Sequence, residues 1–129
     1  MFCNQCEQTA KGVACTVKGV CGKTADLADL QDLVMHAVRG ISHFAVAGRK
    51  VGIVDPELNR FTCKAVFSTL TNVNFDEARF QEIIRQCVEH RERIKAKVTE
   101  KGGQTQFDDP ATTFQPASTV TDLIKQGQT

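Results

Sequence analysis

The sequence has 129 residues, 16 of them basic and 15 acidic, so it is long enough for one buried core and carries almost no net charge. Near-neutrality argues against a nucleic-acid or membrane-surface partner, because both need a patch of one sign. No apolar run approaches the roughly 20 residues of a membrane span. Cysteines occupy the place of a signal peptide's basic and apolar segments, so we expect a cytoplasmic protein with reduced thiols.

The first segment, residues 1–23, has neither a helical nor a strand period. Four of the six cysteines lie in it with the pattern C-x2-C-x8-C-x5-C, and they are Cys3, Cys6, Cys15 and Cys21. Four soft thiolates on one glycine-containing loop suit an iron–sulfur cluster better than zinc, whose structural sites usually combine two closely spaced cysteine pairs. Zinc, a dithiol redox switch and inert thiols remain the alternatives at this point.

The first helix is predicted from Thr24 to about Lys50. Apolar residues recur at steps of three and four from Leu27 to Ala45, which is typical of a helix with one buried face. Thr24 suits the N-cap position. Gly40 predicts a close packing contact, because glycine inside a helix costs up to about 1 kcal/mol relative to alanine.

Two further helices are predicted from their start signals. Asp55-Pro56 supplies a capping carboxylate and a proline at the first helical position. Residues 71–74 predict a turn, with Asn74 as the cap of a third helix that ends at 101–103. Helices joined by such short connections pack as an antiparallel bundle.

The sequence therefore predicts an all-α fold in three parts. Residues 1–23 form a cysteine-rich cluster loop and residues 24–101 an antiparallel three-helix bundle. Residues 102–129 are predicted as a polar linker and the start of a further helix, capped by Ser118, with exposed or weakly docked apolar side chains. We expect the chain to be the front part of something longer.

The remaining reactive side chains have simpler interpretations. Cys87 falls on the apolar face of the third helix and is expected in the core, whereas Cys63 is expected to be packed or partly exposed. His36 and His43 are seven residues apart, whereas two metal ligands on one helix are more naturally three or four apart. The spacing therefore argues against a metal site at these histidines. Neither a nucleotide-binding loop nor a Ser/His/Asp set is visible, so no catalytic residue is assigned.

Lysines flank the cysteines of the loop. Most lysines are solvated, but here they could offset the negative charge of a thiolate-ligated cluster or dock an acidic redox partner. They are Lys11, Lys18 and Lys23.

Two stretches carry a family resemblance. The opening MFCNQCEQTAKGVACTVKGVCGKTADLADLQDL and the segment FSTLTNVNFDEARF at 67–80 resemble the hybrid-cluster proteins, also called prismane proteins or hydroxylamine reductases. Members with this short cysteine spacing have a [4Fe-4S] cluster near the N-terminus, and others carry a [2Fe-2S] cluster. The resemblance implies that the four cysteines of the loop, Cys3, Cys6, Cys15 and Cys21, are the ligands of a [4Fe-4S] cluster.

The resemblance also implies an oxidoreductase that reduces hydroxylamine to ammonia and water. In the family this chemistry occurs at a second, hybrid iron–sulfur–oxygen cluster, whose ligands lie much later in a longer chain and match no residue here. We therefore expect an electron-transfer region that is inactive alone, with a redox donor protein and the missing C-terminal part as partners. The alternative is a small zinc-binding structural or interaction module without redox activity.

Overall fold

The computed structural model describes residues 1–70 and 73–129, and this part of the chain is all-α, as predicted. Its helices are α1 (Ala25–Lys50), α2 (Pro56–Ser68), α3 (Glu77–Glu100) and α4 (Val120–Gly127). Two short 3-10 turns occupy Ala10–Gly12 and Pro110–Thr112. The predicted turn over 71–74 falls partly on residues 71 and 72, outside the described residues. None of the helices described is both long and apolar enough to cross a membrane.

The caps of the first two helices are the predicted ones. The Thr24 hydroxyl accepts a hydrogen bond from the Leu27 N–H at 3.1 Å, and so begins α1. The Asp55 carboxylate does the same for the Leu58 N–H at 3.1 Å, directly before Pro56 at the start of α2. Both signals are local in sequence, which explains why they could be recognised without tertiary information.

The caps of the later helices differ from the prediction. Asp76, not Asn74, caps α3 by accepting from the Arg79 N–H at 3.3 Å. Asn74 accepts instead from the Asp76 N–H at 2.8 Å and so shapes the entry to the helix. A carboxylate at this position has the advantage of a favourable interaction with the helix dipole. Similarly, Thr119 rather than Ser118 caps α4.

The three long helices form an up-down-up bundle. At the start of α2, Asp55 lies 3.1 Å from Lys97 near the end of α3, so these two helices run in opposite directions. Gly48, late in α1, lies against Val98, late in α3, so α1 and α3 run in the same direction. The core between them consists of fully buried apolar side chains, among them Leu30, Val34, Ile41, Phe44, Phe80, Ile84, Cys87 and Val98.

Residues 102–117 are more closely packed than the expected linker. Phe107 packs edge-on against Phe44 of α1, with ring centroids 5.3 Å apart, and Phe114 packs against the core as well. Ala111 is fully buried and explains Gly40, since a Cβ at residue 40 would lie 2.3 Å from the Ala111 carbonyl oxygen. The close contact predicted at Gly40 is therefore confirmed, and its partner is this segment.

A buried arginine holds the same segment in place. Arg91 of α3 is only 1% exposed, and its guanidinium donates to the Phe114 carbonyl at 2.6 Å. It also donates to the Glu92 carboxylate at 2.7 Å, so the buried charge is paired. Guanidinium groups favour such sites because their N–H donors reach several acceptors in one plane.

The last helix docks against the bundle, contrary to the expected weak docking. Leu123 of α4 is 1% exposed and belongs to the hydrophobic core. At the end of α4, Gly127 lies so close to the start of α1 that a Cβ there would be 2.3 Å from the Asp29 carbonyl oxygen. α4 therefore packs mainly against α1, with further contact to α3.

Asp109 is expected to make the stability of the fold depend on pH. Its carboxylate accepts from the Ala111 N–H at 2.9 Å and pairs with His43 at 3.0 Å and Arg39 at 2.8 Å. These contacts hold the pKa of Asp109 well below its usual range, and the hydrogen bond from the Ala111 N–H makes the largest contribution. The stabilisation is present above the unfolded-state pKa of about 3.9 and is lost as pH falls towards the folded-state value.

We therefore expect Asp109→Asn to lower the stability to urea at pH 7, with a difference from wild type that narrows below about pH 4. Exposed Asp108 offers the matched control, and Asp108→Asn should change little at either pH. A loss in Asp109→Asn that stays constant from pH 7 to pH 3 would contradict the assigned role of the carboxylate.

Candidate metal centre in the N-terminal loop

Backbone pairing brings distant cysteines of the loop together. Cys3 and Cys15 form an isolated antiparallel bridge, with N–H to carbonyl distances of 3.0 and 2.8 Å. The chain reverses between them through Lys11 and Gly12, which adopt left-handed backbone angles with φ of 56° and 66°. The loop is thus ordered by its own hydrogen bonds rather than by a helix or sheet.

A second turn places Cys21. The Gly19 N–H donates to the Lys23 carbonyl at 2.7 Å, which closes a turn around the cysteine. A Cβ at residue 19 would lie 3.0 Å from the Lys23 Cβ and 3.1 Å from the Cys21 sulfur. Glycine at this position therefore leaves room for the thiol and for any group bound to it.

The environment of Cys15 favours its thiolate. The side chain is 5% exposed, and its sulfur accepts from the Ala10 N–H at 3.4 Å. Hydrogen bonds from the Ala10 and Val20 N–H groups lower the pKa of Cys15 against the opposing effect of burial, and the Lys23 charge adds to the lowering. Since the thiolate is the form that binds metals, Cys15 is prepared to act as a ligand.

Lys23 is the one flanking lysine that lies inside the site. It is 2% exposed, with its amine 3.8 Å from the Cys3 sulfur and 3.1 Å from the Gln5 side-chain oxygen. Lys11 and Lys18 are exposed. The sequence indicated all three lysines as candidates but did not show which of them is buried. It gave no signal for Gln5 or for the Ala10 and Val20 donors.

The donor set of the loop consists of four thiols. Among the residues the structure describes, no group of three or more His, Cys, Asp or Glu side chains could hold one metal ion. Thiolates on one tetrahedral zinc lie about 3.8 Å apart, given Zn–S bonds of about 2.3 Å. A cluster is wider and takes its thiolates from further apart. Four thiols on one loop, with an N–H donor at Cys15 and a buried cation near Cys3, are the ligand type and the charge compensation that an iron–sulfur cluster uses.

The other two cysteines lie outside the loop. Cys87 of α3 is fully buried, as predicted, and burial raises its pKa to about 12, which keeps it protonated. Cys63 of α2 is exposed. His36 lies on α1 against the Phe114 ring, and His43 pairs with Asp109, so both histidines pack against the 102–117 segment.

The fold and loop together define an all-α protein with a thiol-rich N-terminal loop ahead of a helical bundle. The chain belongs to the prismane/CO dehydrogenase family, whose family model matches residues 1–129. The family resemblance seen in the sequence is thereby confirmed.

Curated relatives with the name hydroxylamine reductase extend this similarity. The protein from Syntrophobacter fumaroxidans is 60% identical over 127 residues, which are 98% of this chain and 23% of the relative. The protein from Methanocella arvoryzae is 48% identical over 128 residues, or 99% of this chain and 24% of the relative. The chain thus spans about a quarter of the length of the curated relatives it matches.

Proposed function

We propose that the loop holds a [4Fe-4S] cluster and that the chain acts as the N-terminal electron-transfer region of a cytoplasmic hydroxylamine reductase. The proposed ligands are Cys3, Cys6, Cys15 and Cys21. The observation that carries the proposal is the Cys3–Cys15 backbone pair beside the buried amine of Lys23. The names of the curated relatives supply the substrate.

Each part of the loop has a task in this proposal. The four thiolates hold the cluster, which when bound supplies single-electron transfer. The Ala10 N–H and the Lys23 amine offset negative charge at Cys15 and Cys3 respectively. Thr24 anchors the end of the loop to the rigid start of α1. Such support keeps ligands in place and tunes what they bind.

In the proposed function the chain is one region of a larger protein, and its share of the overall reaction is electron transfer. Reducing hydroxylamine to ammonia and water consumes two electrons and two protons: NH₂OH + 2e⁻ + 2H⁺ → NH₃ + H₂O. A redox donor protein supplies the electrons, and the loop passes them on one at a time. We propose that the reduction itself takes place outside these residues and that the chain alone shows no turnover.

The proposal is tested by measuring iron, zinc and acid-labile sulfide in chain purified without oxygen. We expect about four irons and four sulfides per chain. About one zinc and no sulfide would overturn the proposal and favour the small zinc-binding module. With a strong one-electron donor, the chain should form no more ammonia from hydroxylamine than a Cys15→Ser variant; a higher rate would contradict the assignment of the reduction to another region.

A further inference from the structure

A buried ammonium lies at the edge of the loop, with no carboxylate within ion-pair distance among the residues described. Lys23 is 2% exposed, yet none of the ion pairs in the described part of the chain includes it. Burying a charge is costly unless an opposite charge compensates for it. The Gln5 oxygen at 3.1 Å is a neutral acceptor and supplies only part of that compensation.

Asp32 lines the same cavity as Lys23 and interacts with its charge, but its carboxylate lies beyond ion-pair distance. The group that lies within that distance and can supply negative charge is the sulfur of Cys3. It lies 3.8 Å from the Lys23 amine, which also donates to the Gln5 side-chain oxygen at 3.1 Å. Water cannot screen this interaction well, because the lysine side chain is almost completely covered. The exposed amines of Lys11 and Lys18 have no such protection.

We propose that Lys23 is a positioning residue that raises the reduction potential of the cluster by holding a buried positive charge against the Cys3 sulfur. The inference rests on the proposed function. Reduction adds one negative charge to the cluster, and a nearby fixed cation stabilises the reduced form more than the oxidised form. Net charge and hydrogen bonds at the sulfurs are the means by which proteins set such potentials.

The test is an anaerobic redox titration followed by electron paramagnetic resonance, with iron and sulfide measured on the same samples. Lys23→Met keeps the length and apolar stem of the side chain but removes the charge. At the wild-type midpoint potential, we expect the ratio of reduced to oxidised cluster in Lys23→Met to be at least tenfold lower. A tenfold change corresponds to a midpoint about 59 mV more negative for one electron. Lys18→Met, the matched exposed control, should shift the midpoint far less.

Each outcome decides the inference. If Lys23→Met keeps its iron and sulfide and the wild-type midpoint, the inference is overturned while the proposed function stands. If Lys23→Met loses the cluster, Lys23→Arg is measured in its place, because arginine keeps the positive charge. A Lys23→Arg variant that holds the cluster with a midpoint near wild type supports the proposed role of the charge. A Lys23→Arg variant that also lacks the cluster overturns the inference. If wild-type chain itself contains no iron or sulfide, the proposed function fails and the inference fails with it.

Discussion

Replacing Cys15 with serine should remove most of the iron and sulfide from chain purified without oxygen. Cys15 is the most buried of the four loop cysteines, and two backbone N–H groups stabilise its thiolate. A serine hydroxyl is a hard donor that stays protonated near neutral pH, so it replaces a thiolate on iron poorly. Changes beside a metal already cost about 10–100-fold in affinity, so loss of a ligand should cost at least about tenfold.

The fold should survive this substitution, which makes the result interpretable. Cys3 and Cys15 are joined by backbone hydrogen bonds, and serine preserves both of them. Circular dichroism should therefore show unchanged helix content. Cys63→Ser, at an exposed cysteine of α2, is the matched control and should keep about four irons and four sulfides. Full metal content in Cys15→Ser would show that Cys15 is not a ligand.

The long helices were predictable because their signals are local. Apolar periodicity and the caps at Thr24 and Asp55 act within one or two turns of the chain, and the structure uses both caps. The cap of α3 was misplaced because Asn74 and Asp76 are both good capping residues two positions apart. Sequence alone does not show which of two adjacent caps the entering chain can use.

The packing of residues 102–129 was not predictable in the same way. The segment is polar and lacks a helical period before α4, so composition alone is typical of a linker. Its order depends on partners far away in sequence, chiefly Gly40 and Arg91. Gly40 did indicate a close contact, but a glycine does not reveal which backbone approaches it.

The candidate site was also predictable only in its local features. Cysteine spacing identifies four possible donors, because metal ligands recur with characteristic spacings. Which lysine is buried depends on how the Gly19–Lys23 turn folds against the Cys3–Cys15 bridge. That turn places Lys23 inside the site and leaves Lys18 in solvent, a difference that residue type cannot encode.

Gly40→Ala should destabilise the fold by about 2 kcal/mol or more, although alanine is the better helix former by up to about 1 kcal/mol. The new Cβ would lie 2.3 Å from the Ala111 carbonyl oxygen and 3.0 Å from its carbonyl carbon. Backbone at this point cannot easily move aside, because Arg91 holds the neighbouring Phe114 carbonyl and Asp109 caps the turn that contains Ala111. Overpacking against fixed backbone therefore outweighs the gain in helix propensity.

Urea unfolding of the variant measures this effect, and Gly48→Ala on the same helix is the matched control. A Cβ at residue 48 would lie 3.3 Å from a Val98 methyl group, which can move by a few tenths of an ångström. Gly48→Ala should therefore stay within about 1 kcal/mol of wild type, since the propensity gain offsets a mild contact. If Gly40→Ala were as stable as Gly48→Ala, the Ala111 carbonyl could not be fixed against α1, because Gly40 faces that backbone group whereas Gly48 faces movable side chains.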